Sequence, residues 1–391
     1  EGPDGREYWM LSEVDGQQVW NAGGRNFVVR RELRFESFDL NPAVEVFDAA
    51  RARAYASDNQ MLRDTVDGFR YLRREDDGTR TVETEIKTRQ LFALGGALQD
   101  SSTSGVIPLA GVNWFDYETF GRDIQTNLFF AGPLAFGTLT VPELFDRKID
   151  VTFDVGLSAL KTEDKVFEDG IEATALRIRD RTQRSAVRFG FPIGSFVKLN
   201  LIGSLDFIQY FDSDEGKDAR PPGVTFVLPA DHRVSSAGAE LLFNRRGWVL
   251  EARGEYSRRS SWEPWGPFDT GTGTFLDSEY DPAQQSFQRW GASLSHEWFL
   301  PHFQKIRAEV GWLDSADVDR FSEYRFSFFG DDRLFGFSGS GVRFDRGGVV
   351  RAGYLFNLLE VVRLQASVET ARVRSTRDGG VDQDFTGVGL S

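Results

Sequence analysis

The chain has 391 residues and no cysteine, which excludes disulfides, thiolate metal sites and cysteine nucleophiles. Its formal charge of -14 argues against a nucleic-acid partner, because no basic region dominates the sequence. No apolar run approaches the roughly 18 residues that a membrane helix needs.

The first 90 residues differ in character from the rest of the chain. A strand is predicted over Phe27–Phe38, and Asn41-Pro42 can then open a helix. Two groups of apolar residues follow at helical spacing, namely Val44, Phe47 and Ala50, then Leu62, Val66 and Phe69. Asp77-Gly78 is a strong hairpin signal. The order strand, helix, helix, strand, strand predicts a small α/β module over residues 25–90, after an N-terminal extension of residues 1–24. Because the chain starts at Glu1 without an apolar signal segment, we expect that a signal was removed or that a longer product exists.

The most informative stretch is Lys148–Leu160, in which apolar and polar side chains alternate strictly. A strand turns successive side chains to opposite faces. One face therefore carries Ile149, Val151, Phe153, Val155 and Leu157, and the other carries Asp150, Thr152 and Asp154. The same alternation returns over residues 197–207 and 248–257. Charges that recur on one face indicate that this face lines the water-filled interior of a barrel. The apolar face is then expected to contact lipid. A stack of soluble β-sandwiches remains the alternative.

From Leu91 onward the chain shows strand patterns separated by turn clusters of alternating length. Asn244–Gly247 is a tight turn, whereas Arg258–Gln285 is a long loop. Tight turns of an outer-membrane barrel face the periplasm and long loops face the exterior. We therefore predict an all-β fold, a transmembrane antiparallel β-barrel of about 14–16 strands over residues 91–391.

The C-terminal third resembles a known family. It reads FGDDRLFGF at residues 329–337, then GGVVRAGYLFNLLEVVRLQASVETARV, and finally GVGL at residues 387–390. These segments resemble the BamA, TamA and FhaC superfamily of outer-membrane assembly and secretion barrels. The resemblance implies a loop that folds back into the barrel, and Leu334, Gly336 and Phe337 match its motif. Phe335 stands where the family has arginine, so Arg333 is the expected substitute, with Glu369 as its expected carboxylate partner.

The resemblance implies three further expectations. Residues 25–90 would be a periplasmic POTRA (polypeptide-transport-associated) domain whose strand edge accepts client strands. Gly336 would allow a close approach of the loop to the barrel wall. Family barrels continue beyond the position of Ser391, so C-terminal strands are expected to be missing here. The last strand, around Asp384–Ser391, would then pair with a strand outside a simple 14-strand closure and not with residues 81–98.

Two other groups of residues contain the side-chain types that chemical sites use. His296, with Ser293 and Ser295 nearby, is the one candidate for an outer-membrane lipid hydrolase, but strand parity places it on the face opposite the serines. It is more simply a histidine of an aromatic girdle. The run Asp212–Gly216 is similar to a calcium loop, but its glycine is misplaced, which favours an acidic turn. We predict no enzyme activity, no cofactor and no metal site.

The predicted function is to assist the insertion or translocation of polypeptides across the outer membrane of a Gram-negative bacterium. Its predicted partners are outer-membrane lipid and lipopolysaccharide, client polypeptides, and periplasmic or lipoprotein partners. The alternative is a passive channel or structural outer-membrane protein, in which Asp150, Asp154, Arg253 and Glu255 would set the preference for solutes.

Overall fold

The structure is a computed structural model of the chain. It describes residues 12–22, 25–35, 43–56, 61–65, 68–82, 89–98, 107–120, 122, 124–168, 171–194, 196–276, 278–300, 304–326, 332–337, 341–359, 362–375 and 380–390. The chain divides into two compact units, of which the first comprises Glu1–Trp20 and Asn26–Gln90 and the second Asn21–Arg25 and Leu91–Ser391. Within the described part, no helix is long and apolar enough to cross a membrane.

The N-terminal elements are a hairpin, one helix and a small sheet. Their bounds are β1 (Glu13–Ala22), β2 (Arg25–Arg34), α1 (Val44–Ala56), β3 (Met61–Thr65), β4 (Gly68–Arg74) and β5 (Arg80–Val82). β1 pairs with β2, and β3, β4 and β5 form a separate three-stranded sheet.

The predicted N-terminal module is only partly observed. α1 is the first predicted helix, and the hairpin at Asp77-Gly78 joins β4 to β5, with Gly78 at a φ of +82°. The second predicted helix is wrong, because Leu62 lies on β3 and Phe69 on β4 and the two strands pair with each other; Val66 lies outside the described residues. Apolar spacing in this short stretch fits two strands as well as one helix. The strand order of a POTRA domain is thus not evident.

The second unit is built on one large antiparallel sheet. Its strands and its helix are β6 (Arg89–Leu98), β7 (Ile107–Thr119), β8 (Ile124–Ala131), β9 (Leu134–Val141), β10 (Asp150–Ser158), β11 (Thr162–Asp164), β12 (Phe167–Glu168), β13 (Ile171–Glu172), β14 (Ile178–Pro192), β15 (Val197–Asp212), α2 (Asp214–Ala219), β16 (Val224–Val227), β17 (His232–Arg245), β18 (Trp248–Arg259), β19 (Gly266–Asp269), β20 (Thr274–Phe275), β21 (Ser286–Leu300), β22 (Gln304–Ala316), β23 (Tyr324–Arg325), β24 (Arg343–Phe344), β25 (Arg346–Leu359), β26 (Val362–Arg374) and β27 (Asp382–Leu390). Short 3-10 turns cover Leu144–Asp146, Thr174–Leu176 and Pro282–Gln285.

The sheet runs in near-sequential order through β6, β7, β8, β9, β10, β14, β15, β17, β18, β21, β22, β25, β26 and β27, with β11 beside β14. These fourteen described strands fall within the predicted range of 14–16, but the described residues do not show the predicted closure into a barrel. β6 and β27 stand at the two ends of the order, and within the described residues they do not pair with each other. Thr386–Leu390 pairs with β26 alone there.

The two faces of the sheet have opposite character. Phe153, Val155 and Leu157 are about half exposed on one face, which we call the outer face. Asp150 and Thr152 are buried on the other, the inner face. The same outer face carries exposed apolar side chains on almost every strand, including Leu128, Phe136, Phe189, Leu201, Leu241, Tyr256, Leu294, Val310, Tyr354 and Val368. This much exposed apolar surface is unusual for a protein in water and is typical of a sheet that faces lipid.

From β10 to β25 the connections alternate in length, as predicted, but β8 and β9 are joined by a two-residue turn at the end that carries the long connections. Tight turns join β14 to β15 and β17 to β18, whereas residues 159–177, 213–231, 260–285 and 317–345 form long connections at the opposite end. The four long connections share one core around Trp262, Trp265, Phe226 and Phe321. Arg320 lies at its centre and binds Asp164 at 2.8 Å, and Arg343 binds the same carboxylate at 2.7 Å. The four long connections therefore pack together as one unit, which we call the cap.

Candidate functional site

The segment Asp332–Phe337, which we call the in-folded segment, returns from the cap to the inner face of the sheet. Leu334 is completely buried in a core with Val349 of β25 and Ala371 of β26. A turn closes the segment, in which the Phe337 amide donates to the Leu334 carbonyl oxygen at 3.1 Å. Burying Leu334 supplies the apolar part of the contact, worth about 1.5–3 kcal/mol for a side chain of this type.

A ladder of charges lies on the inner face beneath this segment. Glu309, Arg351 and Glu369 are direct cross-strand neighbours on β22, β25 and β26. The Arg351 guanidinium donates to Glu309 at 2.6 Å and lies 3.8 Å from Glu369. It also pairs with Asp332 of the in-folded segment and donates to the Arg333 carbonyl oxygen at 2.7 Å. Arg351 therefore ties three strands and the segment together, through charge-assisted hydrogen bonds to Glu309 and the segment and through an ion pair with Glu369.

Glu369 makes a second contact with the segment. Its Oε2 accepts the Phe335 amide proton at 2.9 Å. Burial raises the pKa of the Asp332 carboxyl, and the charge of Arg351 opposes that shift. Asp332 holds the segment through its ion pair with Arg351, whereas Glu369 holds it through the hydrogen bond from the Phe335 amide.

The ring of Phe335 packs against β27, the last strand of the sheet. A Cβ added at Gly389 would lie 2.6 Å from three carbons of the Phe335 ring, and one added at Gly387 would lie 2.9 Å from the Phe335 carbonyl carbon. Both glycines face inward on β27, and their lack of side chains leaves a flat surface on which the Phe335 ring packs. Phe337 contacts the same strand edge-on, with its ring 5.1 Å from that of Phe385. Phe335 and Phe337 therefore join the segment to β27.

Two expectations about the segment are wrong in detail. Arg333 is exposed, and its guanidinium lies over the Phe335 ring at 4.2 Å rather than beside Glu369. Its guanidinium stacks on the Phe335 ring, and Glu369 instead accepts the Phe335 amide proton. Gly336 has no atom within 4 Å of an added Cβ, so it allows no close approach. It is needed because its φ is +82°, at the turn position where type II turns favour glycine.

The other sequence candidates have structural roles. His296 lies between the rings of Trp248 and Trp298, at centroid distances of 4.3 and 4.5 Å, on the outer face near the tight turns. Ser295 is buried on the inner face, so His296 and Ser295 do not form a catalytic pair. This arrangement agrees with an aromatic girdle.

The acidic run at residues 212–216 forms a capped helix. Ser213 caps the short helix α2 by accepting the Gly216 amide, and Asp212 pairs with Arg220 at 2.7 Å. Within the described ranges, no group of three or more histidine or carboxylate side chains is arranged to hold a metal ion.

Comparison with known proteins finds no matching family model and no matching curated protein. Among solved structures, CdiB from Escherichia coli is similar with a TM-score of 0.50 and 13% identity, over 87% of this chain and 62% of that chain. BamA from Haemophilus ducreyi lacking POTRA domains 1-3 matches with a TM-score of 0.48 and 10% identity, over 97% of this chain and 83% of that chain. CdiB from Acinetobacter baumannii matches with a TM-score of 0.47 and 11% identity, over 91% of this chain and 63% of that chain.

The chain therefore spans less than two thirds of the length of either CdiB chain. At these identities the likeness concerns the fold alone. The predicted resemblance is confirmed at that level: the chain has a fold similar to that of CdiB from Escherichia coli.

Proposed function

We propose that this protein is an outer-membrane β-barrel that assists the insertion or translocation of other polypeptides, and that the in-folded segment controls the last strand. The observation that carries the proposal is the contact of Phe335 and Phe337 with β27. A passive channel has no need to anchor one strand of its wall by a loop from the far end of the barrel.

The geometry suggests how such control would operate. Within the described residues β27 is hydrogen-bonded to β26 on one side only, and its inner face is covered by the in-folded segment. A strand with an unpaired edge is a template for another strand. While Arg351 holds the segment, β27 stays fixed to the sheet. Release of the segment would free the edge to move and to accept a client strand.

The in-folded segment lies near two groups of ion pairs, one inside the cap and one on the sheet. Arg320 and Arg343, from the same connection, are fixed to Asp164 inside the cap. Arg351 is fixed to Glu309 on the strand beside it. Displacement of the segment would leave the pairs in the cap and the Arg351–Glu309 pair in place, which suits a local opening that does not unfold the barrel.

The passive channel is the second candidate, and one observation favours it. The inner face carries charged pairs away from the segment, such as Arg289 with Glu255 at 2.6 Å, and both side chains are partly exposed. Charges of this kind set solute preference in pores.

Both candidates are tested with the full chain reconstituted into liposomes. The probe is a urea-unfolded, eight-stranded outer-membrane barrel, and its folding is followed by its altered mobility on unheated gels. Our proposal predicts faster folding of the probe than in liposomes that hold an equal mass of a passive porin. Equal folding rates in the two preparations, together with a steady ion conductance of this chain in planar bilayers, would establish the channel function instead.

A further inference from the structure

Four basic residues lie on the outer face at the cap end of the sheet, and we call them the outer basic patch: Lys161, Arg181, Arg233 and Arg258. Strand parity fixes their direction. Arg181 shares its face with exposed Phe189 on β14, Arg233 with exposed Leu241 on β17, and Arg258 with exposed Tyr256 on β18. Lys161 reaches the same face, because its ammonium lies 3.8 Å from the centre of the Phe211 ring.

The patch lies directly beyond the apolar band of the sheet. On β18, the exposed aromatic residues Tyr256 and Trp248 are eight residues apart, which corresponds to about 26 Å along a strand. Membrane barrels carry an apolar band about 25 Å tall between two aromatic girdles. Arg258 is the next outward position after Tyr256, so it occupies the level at which lipid headgroups begin.

The patch lacks partners of opposite charge. In the part of the chain that the structure describes, no carboxylate oxygen lies within 4.0 Å of the cationic groups of these four residues. Arg181 donates to the neutral Gln209 side chain at 3.1 Å and lies over the Phe211 ring at 5.3 Å. Asp231 is the acid at the edge of the patch, and it is engaged by Gln209 and by the Tyr210 amide.

Other arginines at the same end are neutralised. Arg179, one outward position further into the cap, binds Glu163 at 2.6 Å. Arg372, on the outer face of β26, binds Asp382 at 3.2 Å. Among the described residues, a chain with a formal charge of -14 thus leaves these four cations without a carboxylate partner at a single level of the outer face.

We propose that the outer basic patch binds the phosphate groups of lipids in the membrane leaflet at the cap end. Arginine suits this role because its planar guanidinium can donate two parallel hydrogen bonds to one phosphate. Phe211 and Tyr256 contact the glycerol or sugar region beside those phosphates. The inference rests on the proposed placement of the sheet in a membrane.

The test uses the full chain and titrates it with three lipids, with bound lipid counted by native mass spectrometry. The lipids are a phosphorylated lipid A, the same lipid A after removal of its phosphates, and phosphatidylglycerol. The variant is Arg233→Gln/Arg258→Gln. Its matched control is Arg372→Gln/Arg374→Gln, which removes two arginines from the same face and the same end, where both have carboxylate partners.

Each arginine near a membrane surface contributes about fivefold to the binding of anionic lipid. We therefore expect the patch variant to bind phosphorylated lipid roughly 25-fold more weakly and the control to change less than threefold. The difference between the lipid A and phosphatidylglycerol arms identifies the preferred lipid. If the patch variant does not fold, Lys161→Gln/Arg181→Gln takes its place.

Two results would overturn the inference: equal binding of lipid A with and without its phosphates, or an equal loss of binding in the control variant. Flotation of liposomes that contain the wild-type chain separates this outcome from failure of the proposed function. A chain that does not insert refutes the membrane placement itself. A chain that inserts but binds lipid without regard to phosphate refutes only the role of the patch.

Discussion

The substitution Gly387→Ala tests the contact between the in-folded segment and the last strand. Its Cβ would lie 2.9 Å from the carbonyl carbon and 3.2 Å from the Cβ of Phe335. The Phe335 backbone cannot withdraw without lengthening its 2.9 Å hydrogen bond to Glu369. Overpacking of this kind costs about 1–3 kcal/mol. At 1.4 kcal/mol per factor of ten, the displaced population of the segment should rise about five- to 140-fold.

Trypsin cleavage after Arg333 reports this displacement, since the segment must leave the sheet before a protease can bind it. We expect Gly387→Ala to be cleaved there faster than the wild type by a similar factor. Gly311→Ala is the matched control, because Gly311 lies on the same inner face and has no neighbour closer than 3.9 Å to an added Cβ. Equal cleavage rates in the two variants would refute the packing argument.

Three further predictions concern the charge ladder, the membrane face and the cap. Arg351→Met should lower the free energy of unfolding in urea by about 1–3 kcal/mol, since it leaves three carboxylates without their shared partner, and Arg351→Lys should recover part of it. Phe153→Arg should cost about 2–4 kcal/mol for folding into liposomes if the residue lies at the midplane, whereas Thr272→Arg in an exposed turn should cost little. Burial raises the pKa of Asp164, but Arg320 and Arg343 outweigh it and hold that pKa below its ordinary value. The carboxylate then stabilises the fold above about pH 4, and this stabilisation is lost as the pH falls through the folded pKa, so Asp164→Asn should flatten the loss of stability in acid.

The faces of the alternating strands could be predicted from the sequence, because successive side chains of a strand point to opposite faces. Phe153 and Asp154 point in opposite directions whatever the strand pairs with, so the outer and inner faces follow from the pattern alone. The N-terminal module was harder, because Leu62 and Phe69 fit helical spacing as well as two short strands. Tertiary pairing between β3 and β4 decided between them.

The partner of the loop motif could not be predicted in full. The resemblance predicts that Glu369 contacts the loop, and it does. The arginine that pairs with a carboxylate here is Arg351 of the sheet rather than Arg333 of the loop. A lone arginine between Val350 and Ala352 signals an inward charge on a membrane strand. Its position opposite Glu309 and Glu369 depends on the register of three strands, which a single sequence does not fix.

The contact between Phe335 and the last strand cannot be predicted for a related reason. Gly387 and Gly389 match the last motif of the family, but only the position of β27 beneath the in-folded segment shows that the Phe335 ring packs on them. Phe335, at the position where the resemblance led us to expect arginine, contacts β27, and Arg351 of the sheet supplies a positive charge to the segment.

The most direct test of the account is a covalent bond between the in-folded segment and β27. The variant Phe337→Cys/Phe385→Cys introduces the only two thiols of the chain, at positions whose rings lie 5.1 Å apart. The measured quantity is the folding rate of the unfolded barrel probe in liposomes, before and after an oxidant links the two cysteines as a disulfide. We predict that the disulfide abolishes the acceleration and that a reductant restores it, while each single-cysteine variant stays active throughout. An acceleration that is the same with the segment linked and unlinked would contradict the claim that release of β27 is needed for function.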